Sequence, residues 1–447
     1  MMDNLKLPFY LEAEQSILGI IFLDPKKILI VMDRLSTEDF FNLEHQYIYE
    51  AMKTLIQEQK DIDYFSVNSV LEKKNKKLSN GLKYLFQLTN NIPSIYHLDS
   101  YIDFVYDASL KREVITTISG IYNEGISNQE LDFENYLNIA EEKLFQISKK
   151  KKNTTLIDIK TLLKEVENKT YHRRDNKIIG LSTGFPYLDD ITLGFKPEEL
   201  IILAARPSMG KSSFMSELAL NIVRKNKKKS VIIFSLEMSN EQLCTRMLSS
   251  QSKIDHKKIQ LGILNQREID LLKAVSLRLQ NYNIFFNDSF SANLLDIRSQ
   301  CRKMKNQNKL DIVIIDYLQL IGKNNKNNYK NFNNRQEEIA EISKGLKQMA
   351  KELKVPVLAL SQLSREVEKR EDKRPILSDL RDSGSIEQDA DLVMFLYRPD
   401  YYDKNKKEIS KMNYTELIIS KNRQGATGKT QFLFNLNDLS FQETEKE

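Results

Sequence analysis

Ala205-Arg-Pro-Ser-Met-Gly-Lys-Ser212 is the stretch of sequence that decides the fold. It follows an apolar run, Leu200–Ala204, and precedes a segment with helical spacing, Ser213–Val223. A strand, a loop ending in Gly-Lys-Ser and a helix form a phosphate-binding loop, because backbone N–H groups and the helix N-terminus surround phosphate oxygens. The general pattern begins with Gly. The first position here is Ala205, whose small methyl group is compatible with the loop.

This loop predicts a site for ATP and Mg²⁺. Lys211 is expected to reach the β- and γ-phosphates, and Ser212 is expected to ligate Mg²⁺. The predicted nucleotide-binding residues are Ala205, Arg206, Pro207, Ser208, Met209, Gly210, Lys211, Ser212 and Ser213.

Short apolar runs alternate with helical segments in the C-terminal part of the chain, from about residue 180. This alternation predicts an α/β domain with a largely parallel sheet. Ligands bind outside the carboxyl ends of such strands, so functional residues should directly follow the runs. The predicted strands are Leu200–Ala204, Val231–Leu236, Ile284–Asn287, Asp311–Asp316, Val357–Ser361, Leu392–Tyr397 and Glu416–Ile419.

Three of these runs end in a polar side chain with a candidate role. Asp316 would join the Mg²⁺ coordination sphere, or it would only cap the next turn. Glu237 would orient or deprotonate the water that attacks ATP, or it would be a surface carboxylate that starts the next helix. Gln362 can hydrogen-bond a γ-phosphate, although alone it is a polar strand end.

Two later segments carry further candidates. Ser378–Asp391 is a polar loop containing Arg381 and Gly384, and backbone amides near a glycine can contact phosphates. Lys421 and Arg423 follow a predicted strand two positions apart, so in an extended segment their side chains point the same way. The two cations either face solvent or meet an anion. The γ-phosphate bound by a neighbouring subunit would be such an anion.

The first 150 or so residues show helical spacing, for example over Leu11–Phe22 and Tyr101–Ile121, and predict a helical bundle without chemistry of its own. A lysine-rich stretch, Ser148–Thr155, is interpreted as a solvated linker rather than a DNA contact. Leu156, Ile159, Leu162, Leu163 and Val166 then mark one face of a short amphipathic helix. That face packs either on its own domain or on a neighbouring subunit.

Composition excludes several other classes of protein. The 447 residues carry 67 Lys and Arg against 62 Asp and Glu, a net charge of +5, which alone says little about a polyanionic partner. Two cysteines and four histidines exclude a disulfide framework and a Cys-rich zinc module, and make a His-based metal site unexpected. The sequence has no apolar run long enough for a membrane span and no secretory signal at its start, so an intracellular protein is expected.

Taken together, these segments resemble the bacterial DnaB-type replicative DNA helicases, over nearly the whole chain. The most family-specific piece is Asp379-Leu-Arg-Asp-Ser-Gly-Ser-Ile-Glu-Gln-Asp-Ala-Asp391. Other similar segments are Leu7–Gly19, Ser182–Asp189, Ala205–Ser212, Phe234–Met238, Ile315–Leu320 and Ala359–Arg365.

The resemblance implies a fold and an assembly. An all-helical N-terminal domain (1–148), a linker with a subunit-docking helix (149–177) and a RecA-like P-loop ATPase domain (178–447) are expected to form a homohexameric ring. The ring would couple ATP hydrolysis to 5′–3′ translocation on single-stranded DNA and would unwind forked DNA. Primase and a helicase loader are the expected partners, in a bacterial cytoplasm at the nucleoid, or in a plastid stroma if the gene is organellar.

The resemblance also implies residue roles. Glu237 would activate water, Gln362 would sense the γ-phosphate, and Ser212 and Asp316 would hold Mg²⁺. Lys421 and Arg423 would act on the ATP of the neighbouring subunit. Arg381, Asp382 and Gly384 would lie in the loop that contacts single-stranded DNA.

One segment departs from the family pattern, and two other functions compete with unwinding. Residues 322–335 are rich in Asn and Lys, and would either bind phosphates or form a loop that has drifted in composition. A RecA-like recombinase would lack the separate helical domain. A DNA-binding scaffold that does not unwind would not need a water-activating carboxylate.

Overall fold

The computed structural model describes residues 7–90, 92, 94–127, 133, 136–137, 139–140, 143–144, 147, 158–171, 178–289, 293–321, 335–402 and 412–444. For residues 161, 165, 169–171, 335 and 381–384 it describes the backbone alone. The chain divides into two compact units, Met1–Asp158 and Ile159–Glu447. This division falls within the predicted linker 149–177. The domain limits at 148 and 177 stay predictions.

Helices form the N-terminal unit, as the spacing of apolar residues predicts. They are α1 (Leu11–Leu23), α2 (Ile28–Arg34), α3 (Leu43–Gln57), α4 (Tyr64–Lys73), α5 (Leu82–Asn90) and α6 (Leu98–Ser127). Local chemistry sets several helix starts: the side chain of Asn42 accepts from the backbone of Glu44 at α3, and that of Asp63 accepts from Phe65 and Ser66 at α4. Apolar side chains from these helices form one core.

A buried polar cluster crosses this helical core. Glu14 on α1 and His45 on α3 are 1% and 0% exposed, and 2.6 Å separates Glu14 Oε2 from His45 Nδ1. The other ring nitrogen of His45 lies 2.7 Å from the hydroxyl of Tyr84 on α5. Because a buried polar group is costly without partners, the cluster fixes how these three helices meet.

Helix α7 (Ile159–Tyr171) contains most of the predicted amphipathic face. Ile159, Leu162, Leu163 and Val166 are 66%, 43%, 52% and 57% exposed, so the described part of the chain leaves that face largely uncovered. Leu156 and the lysine-rich stretch before it lie outside the described residues.

The C-terminal unit is built on one sheet, to which the described residues contribute nine strands in the order β3-β2-β4-β5-β1-β6-β7-β8-β9. Strands β1 to β6 pair in parallel, and β7, β8 and β9 add in antiparallel fashion at one side. The strands are β1 (Leu200–Ala205), β2 (Ser230–Ser235), β3 (Asn283–Asn287), β4 (Ile312–Asp316), β5 (Val357–Gln362), β6 (Leu392–Tyr397), β7 (Met412–Asn422), β8 (Gly428–Asn435) and β9 (Phe441–Glu443).

Helices lie between these strands, as the α/β pattern predicts. They are α8 (Pro186–Thr192), α9 (Lys211–Lys225), α10 (Asn240–Ser252), α11 (His256–Leu261), α12 (Gln266–Leu279), α13 (Leu294–Asn306), α14 (Arg335–Leu353), α15 (Gly384–Asp389) and α16 (Pro399–Tyr402). Short 3₁₀ turns span Arg365–Lys369 and Leu377–Ser383. Residues 322–334, which hold most of the Asn/Lys-rich segment, lie outside the described residues.

Two apolar cores cover the two faces of the sheet. Ile201 and Leu203 of β1 face the core that contains α9, whereas Ile202 faces the core that contains α14. This alternation follows from the two-residue repeat of a strand. Since both faces are covered, only the sheet edges where strands begin or end are open to a ligand.

Candidate nucleotide site

The loop that follows β1 has the backbone of a phosphate-binding loop. Ser208 and Gly210 have φ of +66° and +93°, and α9 begins at Lys211 directly afterwards. A Cβ atom at Gly210 would lie 3.1 Å from Phe441 and 3.3 Å from Phe434, so both the conformation and the space favour glycine there. The first N–H groups of α9 therefore point out of the C-terminal edge of the sheet, where an anion is stabilised.

Lys211, Ser212 and Asp316 meet at this edge, as predicted. Ser212 Oγ donates to Asp316 Oδ2 over 2.6 Å, and Lys211 Nζ lies 3.9 Å from Asp316 Oδ1. Asp316 is fully buried, and its Oδ1 atom has no hydrogen-bond partner. Burial lowers the pKa of Lys211, and the carboxylates of Asp316 and Glu237 act in the opposite direction. Lys211, Asp316 and Glu237 therefore form a charged cluster at the C-terminal edge of the sheet, and burial removes part of its hydration.

A cavity of about 430 Å³ opens above the loop. Most of the predicted nucleotide-binding residues line it, and so do Glu237 after β2 and Gln362 at the end of β5. Met209 is the exception within the loop, since its side chain is 1% exposed and packs in the apolar core beneath. The size and the mixed lining suit a small polar ligand with one apolar end.

The sequence did not predict several residues that line the cavity. Arg246 reaches it from α10, and burial lowers the pKa of its guanidinium while Asp316 and Glu237 raise it. Arg398 directly follows β6 and donates from Nη1 to Ser208 O over 3.0 Å. Its position was predictable, since functional residues are expected directly after the parallel strands. Phe434, Leu436 and Leu439 provide an apolar wall.

A second cavity, of about 530 Å³, lies at the opposite edge of the sheet and has a different character. Lys225, Lys305 and Lys354 line it at or just after the ends of α9, α13 and α14. Cations at helix C-termini compensate the helix dipole, so these lysines have a structural explanation. Among the described residues that line this cavity, Asp311 is the only carboxylate, and the lining glycine, Gly180, does not directly precede a helix.

Lys421 and Arg423 lie at that opposite edge and not at the cavity of their own chain. Lys421 is the next-to-last residue of β7 and pairs with Val393, near the start of β6, and the N–H of Arg423 donates to Asp391 O over 2.9 Å. The phosphate-binding loop instead follows the far end of β1. At about 3.3 Å per residue, the four steps from Ile201 to Ala205 separate the two edges by about 13 Å.

Arg381, Asp382 and Gly384 lie together in the fold. The first two are in the 3₁₀ turn Leu377–Ser383, and Gly384 is the first residue of α15. Their side-chain placement lies outside the described residues.

The oxygen atoms at the site match the ligands that Mg²⁺ prefers. Asp316 offers a buried oxygen without a hydrogen-bond partner beside the Ser212 hydroxyl, so the donor set fits a small divalent cation. Within the described part of the chain, no cluster of three or more His, Cys, Asp or Glu side chains forms a separate metal site. No helix in that part of the chain combines the length and apolar character needed to cross a bilayer.

A phosphate-binding loop after one central strand, a buried aspartate at the end of another and a carboxylate after a third define a P-loop ATPase with a RecA-like sheet. Two family models match the chain: "DnaB-like helicase N terminal domain" over residues 6–107 and "DnaB-like helicase C terminal domain" over residues 180–443. The chain belongs to the DnaB-like helicase family.

Individual relatives agree with the family models. The chain is 39% identical over 430 residues to the replicative DNA helicase DnaC of Bacillus subtilis, covering 96% of this chain and 93% of that protein. It is 40% identical over 440 residues to the replicative DNA helicase DnaB of Buchnera aphidicola, with the same coverage. The chain is an ATP-dependent replicative DNA helicase, and the recombinase and scaffold alternatives are not favoured.

Solved structures give the same result. A DnaB-like replicative helicase studied with its primase interactions has a TM-score of 0.77 and 33% identity, and the match covers 98% of this chain and 100% of that one. A separately solved ATPase domain has a TM-score of 0.60 and 37% identity, and that match covers 65% of this chain and 100% of the domain.

Proposed function

We propose that this helicase is a homohexameric ring that uses ATP and Mg²⁺ to move 5′–3′ along single-stranded DNA and to unwind forked duplex. The observation that carries the proposal is the position of Lys421 and Arg423 at the sheet edge opposite their own nucleotide cavity. If these two cations act on a nucleotide, it is that of a neighbouring subunit, because they lie away from the nucleotide cavity of their own chain. A ring of subunits supplies such a neighbour to every site.

Within one subunit, each of the predicted site residues has a separate proposed role in ATP binding or hydrolysis. Lys211 and the first N–H groups of α9 would bind the β- and γ-phosphates, and Ser212 and Asp316 would hold Mg²⁺. Bound Mg²⁺ neutralises charge on the phosphate oxygens. Glu237 would accept a hydrogen bond or a proton from the attacking water, and Gln362 would hydrogen-bond the γ-phosphate. Arg246, from its place in the cavity wall, would add positive charge near the same oxygens.

At the neighbouring subunit, Arg423 would stabilise the charge that develops on the transferred phosphoryl group, and Lys421 would support it. The exposed apolar face of α7 supports the same assembly, since Ile159, Leu162 and Leu163 need a surface to cover them. We propose that an adjacent copy of the chain covers this face. Residues 381–384 would contact single-stranded DNA in the pore.

The proposed partners beyond DNA are a primase and a loader. A primase interaction is described for a DnaB-like helicase of the same overall structure, which supports the first. The proposed location is the bacterial cytoplasm at the nucleoid. A plastid stroma would apply to an organellar gene.

Strand displacement on a forked duplex tests the proposal. Unwinding with ATP and Mg²⁺ should be stopped by a bulky block on the 5′ arm and not by one on the 3′ arm. The mass of the assembled protein with ATP should match six copies of 52.2 kDa. ATP-dependent DNA binding without unwinding would contradict it.

Mixed hexamers test the trans role of Arg423. Arg423→Ala and Lys211→Ala subunits, each inactive alone, should regain part of the ATPase activity when mixed, because some interfaces then pair an intact Lys211 with an intact Arg423. If Arg423 acted on its own nucleotide, every mixed site would stay inactive.

A further inference from the structure

The C-terminal end of helix α15 holds both proposed trans-acting cations within their own chain. Lys421 Nζ donates to the carbonyl oxygens of Glu387 and Gln388, and Arg423 Nη2 donates to the carbonyl oxygen of Gln388. Carbonyl groups at the end of a helix lack partners within the helix and carry partial negative charge, so cations are favoured there.

Asp391 completes this arrangement just after the helix. Its Oδ1 atom lies 3.2 Å from Arg423 Nη1, and its backbone oxygen accepts from the N–H of Arg423. Asp391 is 6% exposed, whereas the Arg423 side chain is 47% exposed. A buried carboxylate thus holds one side of a guanidinium whose other side faces outward.

The same carboxylate is anchored to the sheet by its second oxygen. Asp391 Oδ2 accepts from Leu200 N over 2.8 Å and from Lys347 Nζ over 2.6 Å. Asp391 therefore has a fixed position, and Arg423 is the partner that can leave it without exposing an uncompensated charge, because Lys347 stays.

The other end of α15 begins at Gly384, inside the proposed DNA contact of residues 381–384. Six helical residues span about 9 Å, so the DNA contact and the two held cations lie at opposite ends of one short rigid element. Ile386 in the middle of this helix is fully buried and packs in the core, which keeps the element from bending freely.

We propose that α15 and Asp391 form a docking site that holds Lys421 and Arg423 back until DNA binding at residues 381–384 displaces the helix. Held against Asp391 and Gln388 O, Arg423 has fewer N–H groups left for a phosphate on the adjacent subunit, so the two arrangements compete for the same guanidinium. Coupling between two sites requires an element with two states whose equilibrium both ligands shift, here the DNA and the nucleotide of the adjacent subunit. Asp391 is thereby a positioning residue for ATP hydrolysis. The proposal rests on the proposed trans role of Arg423.

The test measures ATP hydrolysis by the hexamer with and without oligo(dT), in the wild type, in Asp391→Asn and in a matched control, Lys347→Gln. The control removes the other cation partner of the same carboxylate and leaves the Arg423 contact in place. An ion pair with an exposed partner is worth about 0.2–1 kcal/mol, which converts to a rise of up to about fivefold in the DNA-free rate of Asp391→Asn. The ratio of DNA-stimulated to DNA-free rate should fall accordingly in Asp391→Asn. Lys347→Gln leaves Arg423 as the remaining cation on that carboxylate, so it should not lower the ratio.

An unchanged ratio in Asp391→Asn, a proportional loss of both rates, or the same effect in Lys347→Gln would overturn the docking role. Arg423→Ala separates this from the proposed function: if it still hydrolyses ATP with DNA, the trans role itself fails. If Asp391→Asn does not assemble, deuterium exchange on the wild type decides. Oligo(dT) with a non-hydrolysable ATP analogue should raise uptake over residues 384–391, and unchanged or lower uptake would overturn the proposal.

Discussion

Ser212 and Asp316, 104 positions apart in the chain, are joined by a hydrogen bond of 2.6 Å from Ser212 Oγ to Asp316 Oδ2. The bond connects the first turn of α9 to the end of β4. It leaves Asp316 Oδ1 buried without a hydrogen-bond partner, with Lys211 Nζ 3.9 Å away. An unpartnered buried carboxylate oxygen is costly unless a cation or a hydrogen-bond donor reaches it. We infer that the site is organised for a bound Mg²⁺.

Asp316→Asn should abolish most of the Mg²⁺-dependent ATPase activity, because it removes the negative charge that holds the cation. The expected fall is on the order of 100-fold, since metal charge stabilisation is worth several kcal/mol. The measurement is the ATPase rate across a Mg²⁺ titration. Asp311→Asn is the matched control, because Asp311 precedes the same strand at the opposite sheet edge and pairs with Lys229. Equal losses in both variants would contradict the role of Asp316.

Glu237→Gln should bind nucleotide but hydrolyse it about 10²- to 10⁴-fold more slowly, which is the usual contribution of a general base. The amide keeps the shape of the side chain and loses its basicity. Equilibrium binding of a fluorescent ATP analogue and single-turnover hydrolysis separate the two effects. Glu241→Gln, on the exposed start of α10, is the control. Hydrolysis at the wild-type rate in Glu237→Gln would leave Glu237 as an ordinary surface carboxylate.

Strand ends made much of this site predictable from sequence. Asp316, Glu237 and Gln362 each end or follow an apolar run, and parallel strands bring their carboxyl ends to one edge. Arg246 was not predictable in this way, because it reaches the cavity from a helix. Which face of α10 points inward depends on how that helix packs, and the local sequence does not contain that information.

The antiparallel strands at the side of the sheet show a second limit of predicting strands from the sequence. Thr430, Phe432 and Phe434 of β8 are buried and alternate with half-buried neighbours, a strand pattern that apolar runs alone do not reveal. Strand β7 is longer than predicted, because polar residues such as Asn413 and Thr415 are buried within it. As a result, Lys421 lies inside a strand rather than after one.

Gly210→Ala should weaken nucleotide binding about tenfold or more. Its φ of +93° disfavours any side chain, and the added methyl group would press on the rings of Phe434 and Phe441. Gly262→Ala is a matched control, since Gly262 also has a positive φ, of +69°, but a methyl group added there would meet no atom within 4 Å. That variant should lose about 1 kcal/mol of stability and keep nucleotide affinity. Titration calorimetry with an ATP analogue compares the two, and equal affinities would show that the loop tolerates the change.

Glu217 on α9 should make the protein less stable as the pH rises. Burial raises the pKa of its carboxyl above the ordinary 4.5, against the effect of a hydrogen bond from Ser250. The folded state then binds more protons than the unfolded state, so the free energy of unfolding falls with pH from about 4.5 up through the raised pKa. Glu217→Gln removes this titration.

The stability of Glu217→Gln relative to the wild type should therefore increase with pH over that window and then level off. Urea unfolding at several pH values, monitored on the C-terminal unit, gives the difference. Glu241→Gln, which changes an exposed carboxylate, should show no such trend. A difference for Glu217→Gln that is constant across the window would contradict burial as the cause.

Arg381→Ala should weaken binding of single-stranded DNA and lower its salt dependence. Each lost phosphate contact reduces the slope of log affinity against log salt by about one. Fluorescence anisotropy with labelled oligo(dT) at several salt concentrations measures that slope. Arg267→Ala, which removes an exposed arginine near the start of α12, controls for the change in net charge and should keep the wild-type slope. If Arg381→Ala keeps the slope as well, Arg381 does not contact a phosphate, and the proposed DNA contact reduces to its backbone and to neighbouring residues.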